Sequence, residues 1–193
     1  WSLAKDALRQ KRYIIIVEGN MDAIAVSQTK ANNVLAVSGT ALTKEQIKLI
    51  KRYTDNIIFA FDGDNAGLRA AYKTALMSLG HINAKRLIQF ITLPKNEDPD
   101  SFVNNNSLDT FVKLLKNPIL LVNFIFHQAS LAHSFDNADD KIIFDKYIDE
   151  IIEMIKDSKI KYFYKNEFKS LFFDKIRSKN KKTTTIKINY KFN

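Results

Sequence analysis

The sequence has no cysteine, which excludes disulfide bonds and a thiolate-bound zinc ion. The three histidines stand far apart, at positions 81, 127 and 133, so no pair has the spacing of a zinc site. We therefore expect no zinc in this chain and a reducing, cytoplasmic setting.

No stretch of about 18 residues is apolar, so the sequence predicts neither a transmembrane helix nor a membrane partner. The first 11 residues mix charged and apolar side chains, unlike a signal peptide. They also lack an initiator methionine, and we expect a fragment or a processed chain.

Glycine is scarce, with five residues in 193. Gly19, Gly39 and Gly63 stand at the ends of predicted strands, and Gly67 lies in the first turn of a predicted helix. These are positions where the backbone turns sharply or approaches a ligand closely. Only Gly80 is typical of a plain helix end.

Acidic residues are depleted at one end only. Residues 156–193 contain 12 Lys or Arg and 3 Asp or Glu, whereas residues 1–155 contain 18 of each. The net charge of +9 therefore belongs to the C-terminal stretch. This distribution indicates a neutral body with a basic end, and it does not make the whole chain a DNA-binding surface.

Four apolar, β-branched runs predict buried strands, at residues 13–17, 34–37, 56–61 and 86–91. Predicted helices lie before and between them, at 3–11, 21–30, 44–53 and 65–79, the third with Thr43 and Gln46 as a capping box. Strands that alternate with helices predict an α/β fold with a central, mostly parallel four-stranded sheet flanked by helices.

After Pro94 the pattern becomes helical. Apolar residues recur at helical spacing over 108–116, 118–131, 139–156 and 159–178. We predict an α/β domain at 1–105, a small all-helical subdomain at 106–178 and a basic flexible tail at 179–193.

Acidic side chains follow three of the predicted strands. Glu18 and Asp22 come after the first, Asp62 and Asp64 after the third, and Asp98 and Asp100 after the fourth. The carboxyl ends of parallel strands share one edge of the sheet, so these six groups should converge there. Such a cluster repels itself unless a divalent cation lies within it, and Mg²⁺ prefers oxygen ligands.

Each acidic pair also has a plain structural interpretation. Glu18 with Gly19, or Asp62 with Asp64, can cap a helix, and Asp98 and Asp100 around Pro99 can form a turn. The occurrence of all three pairs on one edge favours a metal site and metal-assisted phosphoryl transfer.

The acidic residues lie in longer motifs. In chain order these are VEGNMDAIA, SGTALT, IKRYTD, FDGDNAGLRAA and LPKNEDPDSF. They resemble the Toprim domain and, within it, the bacterial DnaG-type DNA primases, over about residues 4–105 and more weakly over 106–178. Asn20 departs from the family pattern, which usually has tyrosine there. The Arg-Glu-Gly-Glu and Asp-x-Asp-x-Asp-Gly motifs of topoisomerases are missing.

The resemblance implies roles for the six carboxylates. It makes Glu18, Asp62 and Asp64 catalytic, with Glu18 as general acid/base or metal-positioning residue. It makes all six, including Asp22, Asp98 and Asp100, metal-binding, with Mg²⁺ as the cofactor and Mn²⁺ able to substitute. The implied reaction is synthesis of short RNA primers from ribonucleoside triphosphates on a single-stranded DNA template, at the replication fork.

The family also has a zinc-binding domain, a basic half of the polymerase core and a domain that binds the replicative helicase. No such sequence occurs here, so we expect a fragment whose activity alone is open. Two alternatives remain at this point: a Toprim nuclease or topoisomerase-like enzyme, and a truncated module that binds metal and DNA without turnover.

Basic residues suggest contacts with phosphates or nucleic acid. Lys51, Arg52 and Arg69 are candidates near the predicted metal edge. Six aromatic residues between 162 and 173 alternate with lysines, a composition that can bind single strands. At helical spacing, however, such aromatic residues are more often part of a core.

Overall fold

The computed structural model describes residues 13–29, 31–37, 44–50, 52–85 and 87–189, and only the backbone of Lys44, Lys48 and 180–189. The predicted helix at 3–11, the cap at Thr43, Gly39 and Lys51 lie outside the described residues.

The centre of the fold is a five-stranded sheet with the spatial order β2-β1-β3-β4-β5. The strands are β1 (Tyr13–Val17), β2 (Val34–Ala36), β3 (Asn56–Phe61), β4 (Leu87–Thr92) and β5 (Ile119–Leu120). The first four pair in parallel, and β5 pairs with β4 antiparallel. The predicted α/β class with a mostly parallel sheet is confirmed, with five strands where four were predicted.

Eight helices are seen in the described part of the chain. They are α1 (Asn20–Gln28), α2 (Lys44–Ile50), α3 (Asn65–Leu79), α4 (Pro99–Asn105), α5 (Leu108–Lys116), α6 (Leu121–Leu131), α7 (Ala138–Glu153) and α8 (Ser158–Asn189). Helices α1, α2 and α3 connect parallel strands, as the alternating pattern predicted.

Two elements differ from the sequence prediction. Residues 119–120 form β5, where a helix was predicted from 118 onward, because the two-residue strand is too short to show a periodicity of its own. No helix was predicted at α4, where a turn around Pro99 was one interpretation; Pro99 instead occupies the first turn of a helix and Asp98 caps it. Proline is favoured at the first helical position because its missing N–H has no helical acceptor there.

Both faces of the sheet are buried, which explains the continuous apolar runs of its strands. On one face, Ile15 and Ile58 belong to a core cluster with Phe102 of α4 and Phe111 of α5. On the other face, the ring of Phe90 stacks between Phe59 and Phe124, at centroid distances of 5.1 and 4.1 Å. The sheet is therefore the middle layer of this part of the molecule.

The chain divides into two compact units, at residues 1–124 and 125–193. Helix α5 belongs to the first unit because Phe111 is fully buried in the cluster that contains Phe102. The division therefore lies 19 residues beyond the predicted boundary at 105.

The second unit has a core of aromatic rings. Phe144 of α7 is fully buried and contacts the rings of Phe126, Phe135 and Phe172. Helix α8 continues to Asn189, so the described part of the predicted flexible tail is helical. No glycine or proline occurs after Pro118 to interrupt it.

Among the described residues, no helix combines the length and the apolar character needed to cross a bilayer.

Candidate metal centre

The acidic residues lie where the parallel strands of the first unit end. Glu18 directly follows β1, and Asp62 directly follows β3, its paired neighbour in the sheet. Asp98 comes after β4, at the end of a six-residue loop. The carboxyl edge thus brings together groups that are up to 80 residues apart in sequence, as the alternating pattern predicted.

A backbone contact joins two of the loops that carry these groups. The Gly63 N–H donates to the carbonyl of Glu97 at 2.7 Å. A Cβ at Gly63 would collide with the backbone carbonyls of Leu93 and Pro94, so only glycine allows the two loops to approach this closely. Gly63 therefore brings the carboxylates after β3 close to those after β4.

Glu18 and Asp62 each have a buried carboxylate oxygen that finds no hydrogen-bond partner among the described residues. The atoms are Glu18 Oε1 and Asp62 Oδ1. Burial raises the pKa of the Glu18 carboxyl, and the charges of Asp64 and Asp22 add to the rise, while a hydrogen bond from the Asp62 backbone opposes it. Unsatisfied buried oxygens are costly, which makes them positions where a cation would be stabilising.

Asp62 is the most strongly perturbed group of the site. Burial, followed by the negative charges of Glu18 and Asp22 and then of Asp98 and Asp64, raises the pKa of Asp62 to about 7. All four charged neighbours are sequence-predicted site residues, so the predicted convergence extends to five of the six carboxylates. A cation among them would reverse the repulsion and favour the ionised form.

Asp64 and Asp98 both cap helices. Asp64 accepts a hydrogen bond from the Gly67 N–H at 2.7 Å at the start of α3. Asp98 accepts from the Ser101 N–H at 2.6 Å at the start of α4. The plain interpretation of Asp64 as a helix cap is thus also correct, whereas Asp98 caps a helix where a turn was the plain interpretation. Each carboxylate keeps a second oxygen for another partner.

Asp22 joins two helices of the first unit. Its Oδ2 accepts from the Gly19 N–H at 2.9 Å, and its Oδ1 accepts from the Asp100 N–H at 3.3 Å. Asp22 is buried, and burial raises its pKa. Asp22 therefore connects the first turn of α1 to the first turn of α4. Asp100, in turn, accepts from Asn104 Nδ2 at 2.9 Å.

A positioning residue that the sequence interpretation missed is Ser101. Its hydroxyl donates to Glu97 Oε2 at 2.5 Å and accepts from the Asp98 N–H at 3.0 Å. Ser101 thus fixes the two acidic residues that precede α4. The signal was present in the spacing, since a cap residue and a polar residue three positions later form a capping box.

The carboxylates do not form a finished coordination shell. Among the described residues, no three carboxylate or imidazole side chains come close enough together to hold a metal ion by themselves. The six-carboxylate shell suggested by the sequence is therefore not formed by these side chains alone. The all-oxygen donor set and the two unsatisfied atoms nevertheless fit Mg²⁺, which keeps several waters and takes few protein ligands.

The basic candidates are placed differently from the prediction. Arg52 precedes β3 by four residues and so lies toward the amino edge of the sheet, opposite the carboxylates. Its predicted place near the metal edge was wrong because α2 runs back across the sheet before β3 begins. Arg69 is exposed in the second turn of α3, the helix that begins at the carboxylate edge. Lys51 lies outside the described residues.

Comparison with known proteins identifies relatives of this chain. A family model described as Toprim-like matches residues 15–103. The DNA primase of Rickettsia felis is 36% identical over 176 residues, covering 91% of this chain and 30% of the relative. The DNA primase of Buchnera aphidicola subsp. Baizongia pistaciae is 42% identical over 114 residues, covering 59% of this chain and 20% of the relative. The chain spans about a third or less of these relatives.

Solved structures show the same likeness. A DNA primase domain from Pseudomonas aeruginosa has a TM-score of 0.80 at 29% identity, over 88% of this chain and 53% of that one. The DnaG primase catalytic domain bound to ssDNA has a TM-score of 0.77 at 26% identity, over 86% of this chain and 52% of that one. In sequence and in fold, the chain thus corresponds to the Toprim portion of the DnaG-type DNA primases.

Proposed function

We propose that this chain carries the metal-dependent catalytic centre of a primase, which joins ribonucleotides into short RNA primers on single-stranded DNA. One observation carries the proposal. Glu18 and Asp62 present unsatisfied buried oxygens at the carboxyl edge of a sheet that matches the primase catalytic core.

The residues of the site have different proposed roles. Glu18 and Asp62, with the second oxygens of Asp64 and Asp98, would hold Mg²⁺ or Mn²⁺ through direct or water-mediated contacts. Asp22 and Asp100 position the helices that carry the others. Bound metal would bring the primer hydroxyl and the nucleoside triphosphate together and offset charge on the leaving pyrophosphate.

The substrates follow from this reaction, and the helicase follows from the likeness to primases. The partners are ribonucleoside triphosphates, a single-stranded DNA template and, for the whole protein, the replicative helicase at the replication fork in the cytoplasm. Arg69 is a candidate to meet a phosphate at this edge, because it is exposed near the start of α3.

The nuclease alternative uses the same metal and fold but needs no nucleotides. The relatives named above are primases, and they give that alternative no support. A module without turnover would bind metal and would produce neither RNA nor cleaved DNA.

The test is incorporation of labelled ribonucleotides on single-stranded DNA, with Mg²⁺ and then with Mn²⁺. We expect RNA product from the wild-type chain and none from Asp62→Ala. Asp145→Ala, an exposed carboxylate of α7, is the matched control and should retain activity. Product that persists in Asp62→Ala, or plasmid nicking without nucleotides, would contradict the proposal.

Metal binding is measured separately. We expect Asp62→Ala combined with Asp64→Ala to abolish Mn²⁺ binding while the circular dichroism spectrum keeps its helical signal. Unchanged Mn²⁺ affinity in this double variant would remove the basis of the site assignment.

A further inference from the structure

Aromatic residues of α8 divide between two faces of the helix. Phe168 and Phe172 face inward, where Phe172 contacts Phe144 and Phe168 is 1% exposed. The side chains of Tyr162, Phe163 and Phe173 face outward and are 64%, 59% and 58% exposed. Of the six aromatic residues between 162 and 173, which their helical spacing predicted to belong to a core, only half are therefore buried or partly buried. Large rings exposed to this extent indicate a binding surface when they lie together.

The exposed rings lie on one continuous strip, which we call the outer stripe. Its members are Lys159, Tyr162, Phe163, Asn166, Lys169, Ser170, Phe173 and Arg177, all of them exposed. At 100° per residue they fall within about 120° of the helix circumference and extend over about 27 Å of its length. The stripe contains no carboxylate, while Glu167 and Asp174 stand beside it.

Charges of α8 differ between its two sides. Lys161, Lys165 and Lys179 form ion pairs with Glu153, Asp149 and Asp136. Within the described part of the chain, Lys159 and Lys169 of the stripe form no ion pair, whereas Arg177 pairs with Asp174 at its margin, at 2.7 Å. Two of the three cations of the stripe, Lys159 and Lys169, are thus available to an external anion.

We propose that the outer stripe binds single-stranded DNA. Unpaired bases stack on aromatic rings, and lysines between the rings meet the phosphates, so exposed rings and cations on one face suit this ligand. Tyr162 and Phe163 stand edge to face with centroids 5.5 Å apart, which presents two differently oriented rings to successive bases. The choice of DNA as the polyanion rests on the proposed function.

Charge complementarity favours nucleic acid over a protein partner. A protein docking site of this size would centre on apolar residues with few charges, whereas here Lys169 lies between the rings and Lys159 and Arg177 stand at the two ends of the stripe. The stripe also lies in the C-terminal stretch that contains all of the net positive charge of the chain.

The test is fluorescence anisotropy with a labelled single-stranded thymidine oligonucleotide of about 20 nucleotides, titrated at several salt concentrations. In the whole chain, the triple variant Tyr162→Ser, Phe163→Ser, Phe173→Ser should bind at least about tenfold more weakly, with an unchanged salt dependence. The variant Lys159→Gln, Lys169→Gln should reduce the slope of log affinity against log salt by about 1.4.

The matched control is Ile142→Ser, Ile143→Ser, which removes two similarly exposed apolar side chains from α7. This control should bind like the wild type. Wild-type affinity in the triple variant, or an equal loss in the control, would overturn the proposal. Equal loss of binding to duplex of the same length would also overturn it, because duplex bases are not free to stack on the rings.

The proposed function and the proposal for the outer stripe can be contradicted independently of each other. A chain that binds the oligonucleotide through the stripe but makes no metal-dependent RNA contradicts the proposed function alone. If the chain makes such RNA and the triple variant binds the oligonucleotide as tightly as wild type, only the proposal for the outer stripe is contradicted. Mn²⁺ binding by the triple variant should equal that of wild type and shows that the first unit is intact.

Discussion

Carboxylates of the same edge have different roles because their partners differ. Asp64 and Asp98 accept hydrogen bonds from helix amides, and Asp22 accepts two. Glu18 Oε1 and Asp62 Oδ1, in contrast, have no partner in the part of the chain that the structure describes. The sequence predicted which residues converge, because strand ends are visible as the ends of apolar runs. It did not predict which oxygens stay free, because that depends on loop contacts such as Gly63 with Glu97.

The burial of Asp62 among other carboxylates has a consequence for stability. The pKa of its carboxyl is about 7 in the folded chain, against an ordinary value of 3.8. The folded state keeps the Asp62 carboxyl protonated to a higher pH than the unfolded state does. The contribution of Asp62 to stability is therefore fully present below about pH 4. It is lost as the pH rises toward 7.

We therefore expect Asp62→Asn, in chelator-treated buffer, to be more stable than wild type at pH 8 and equally stable at pH 4. The gain at pH 8 should be about 1–2 kcal/mol, since solvent screens part of the repulsion. Urea unfolding at both pH values measures it. Asp145→Asn should show no gain, and parallel pH profiles of Asp62→Asn and wild type would show the prediction to be wrong.

Elements with a strong pattern of their own were predicted well from the sequence. Strand β1, helix α3 and helix α5 have the predicted bounds, because continuous apolar runs and helical periodicity depend only on neighbouring residues. Strand β5 exists only because β4 offers it an edge, and α4 begins at a proline within an acidic loop. The pairing of β5 with β4 is a tertiary contact, which local patterns do not contain. The start of α4, in contrast, had local signals in Pro99 and in the capping box of Asp98 and Ser101.

Helix α4 gives a testable case at this scale, since Asp22 holds its first turn to that of α1. Asp22→Ala leaves the N–H groups of Gly19 and Asp100 without their acceptor. We expect a loss of about 1–2 kcal/mol of unfolding free energy, the net of two lost hydrogen bonds and the relief of some repulsion. Chemical denaturation at pH 7 measures it.

Asp100→Ala is the natural comparison, because within the described residues that carboxylate accepts only from the exposed amide of Asn104. It should change the unfolding free energy by no more than about 0.5 kcal/mol. Equal effects of the two substitutions would mean that Asp22 does not connect the helices.

The whole molecule consists of two units that differ in composition. The first is a sheet-centred body that carries the acidic site, and the second is helical and contains the basic C-terminal stretch. The sequence predicted this contrast from the charge distribution and the change of pattern after Pro94. It placed the boundary too early because Phe111 lies in a helical pattern, while its burial among α/β core residues is visible only in the structure.

The division falls within α6, after Phe124. Phe124 is 2% exposed and stacks on Phe90 of β4. We expect Phe124→Ala to lower the unfolding free energy by about 3–5 kcal/mol and to reduce hydrogen-exchange protection of the β4 amides. Leu131→Ala, at a 66% exposed position of the same helix, should leave both unchanged. Full protection of β4 in Phe124→Ala would contradict this assignment of the core.

The order of the strands also bears on how the chain behaves at high concentration. In the described sheet the outermost strands, β2 and β5, have three and two residues, whereas the inner strands have five or six. A short outer strand offers few unpaired amides to the sheet of another molecule. The long apolar strands, which alone would be the most aggregation-prone segments of the sequence, are thus shielded on both sides, and the folded chain should resist fibril-like growth.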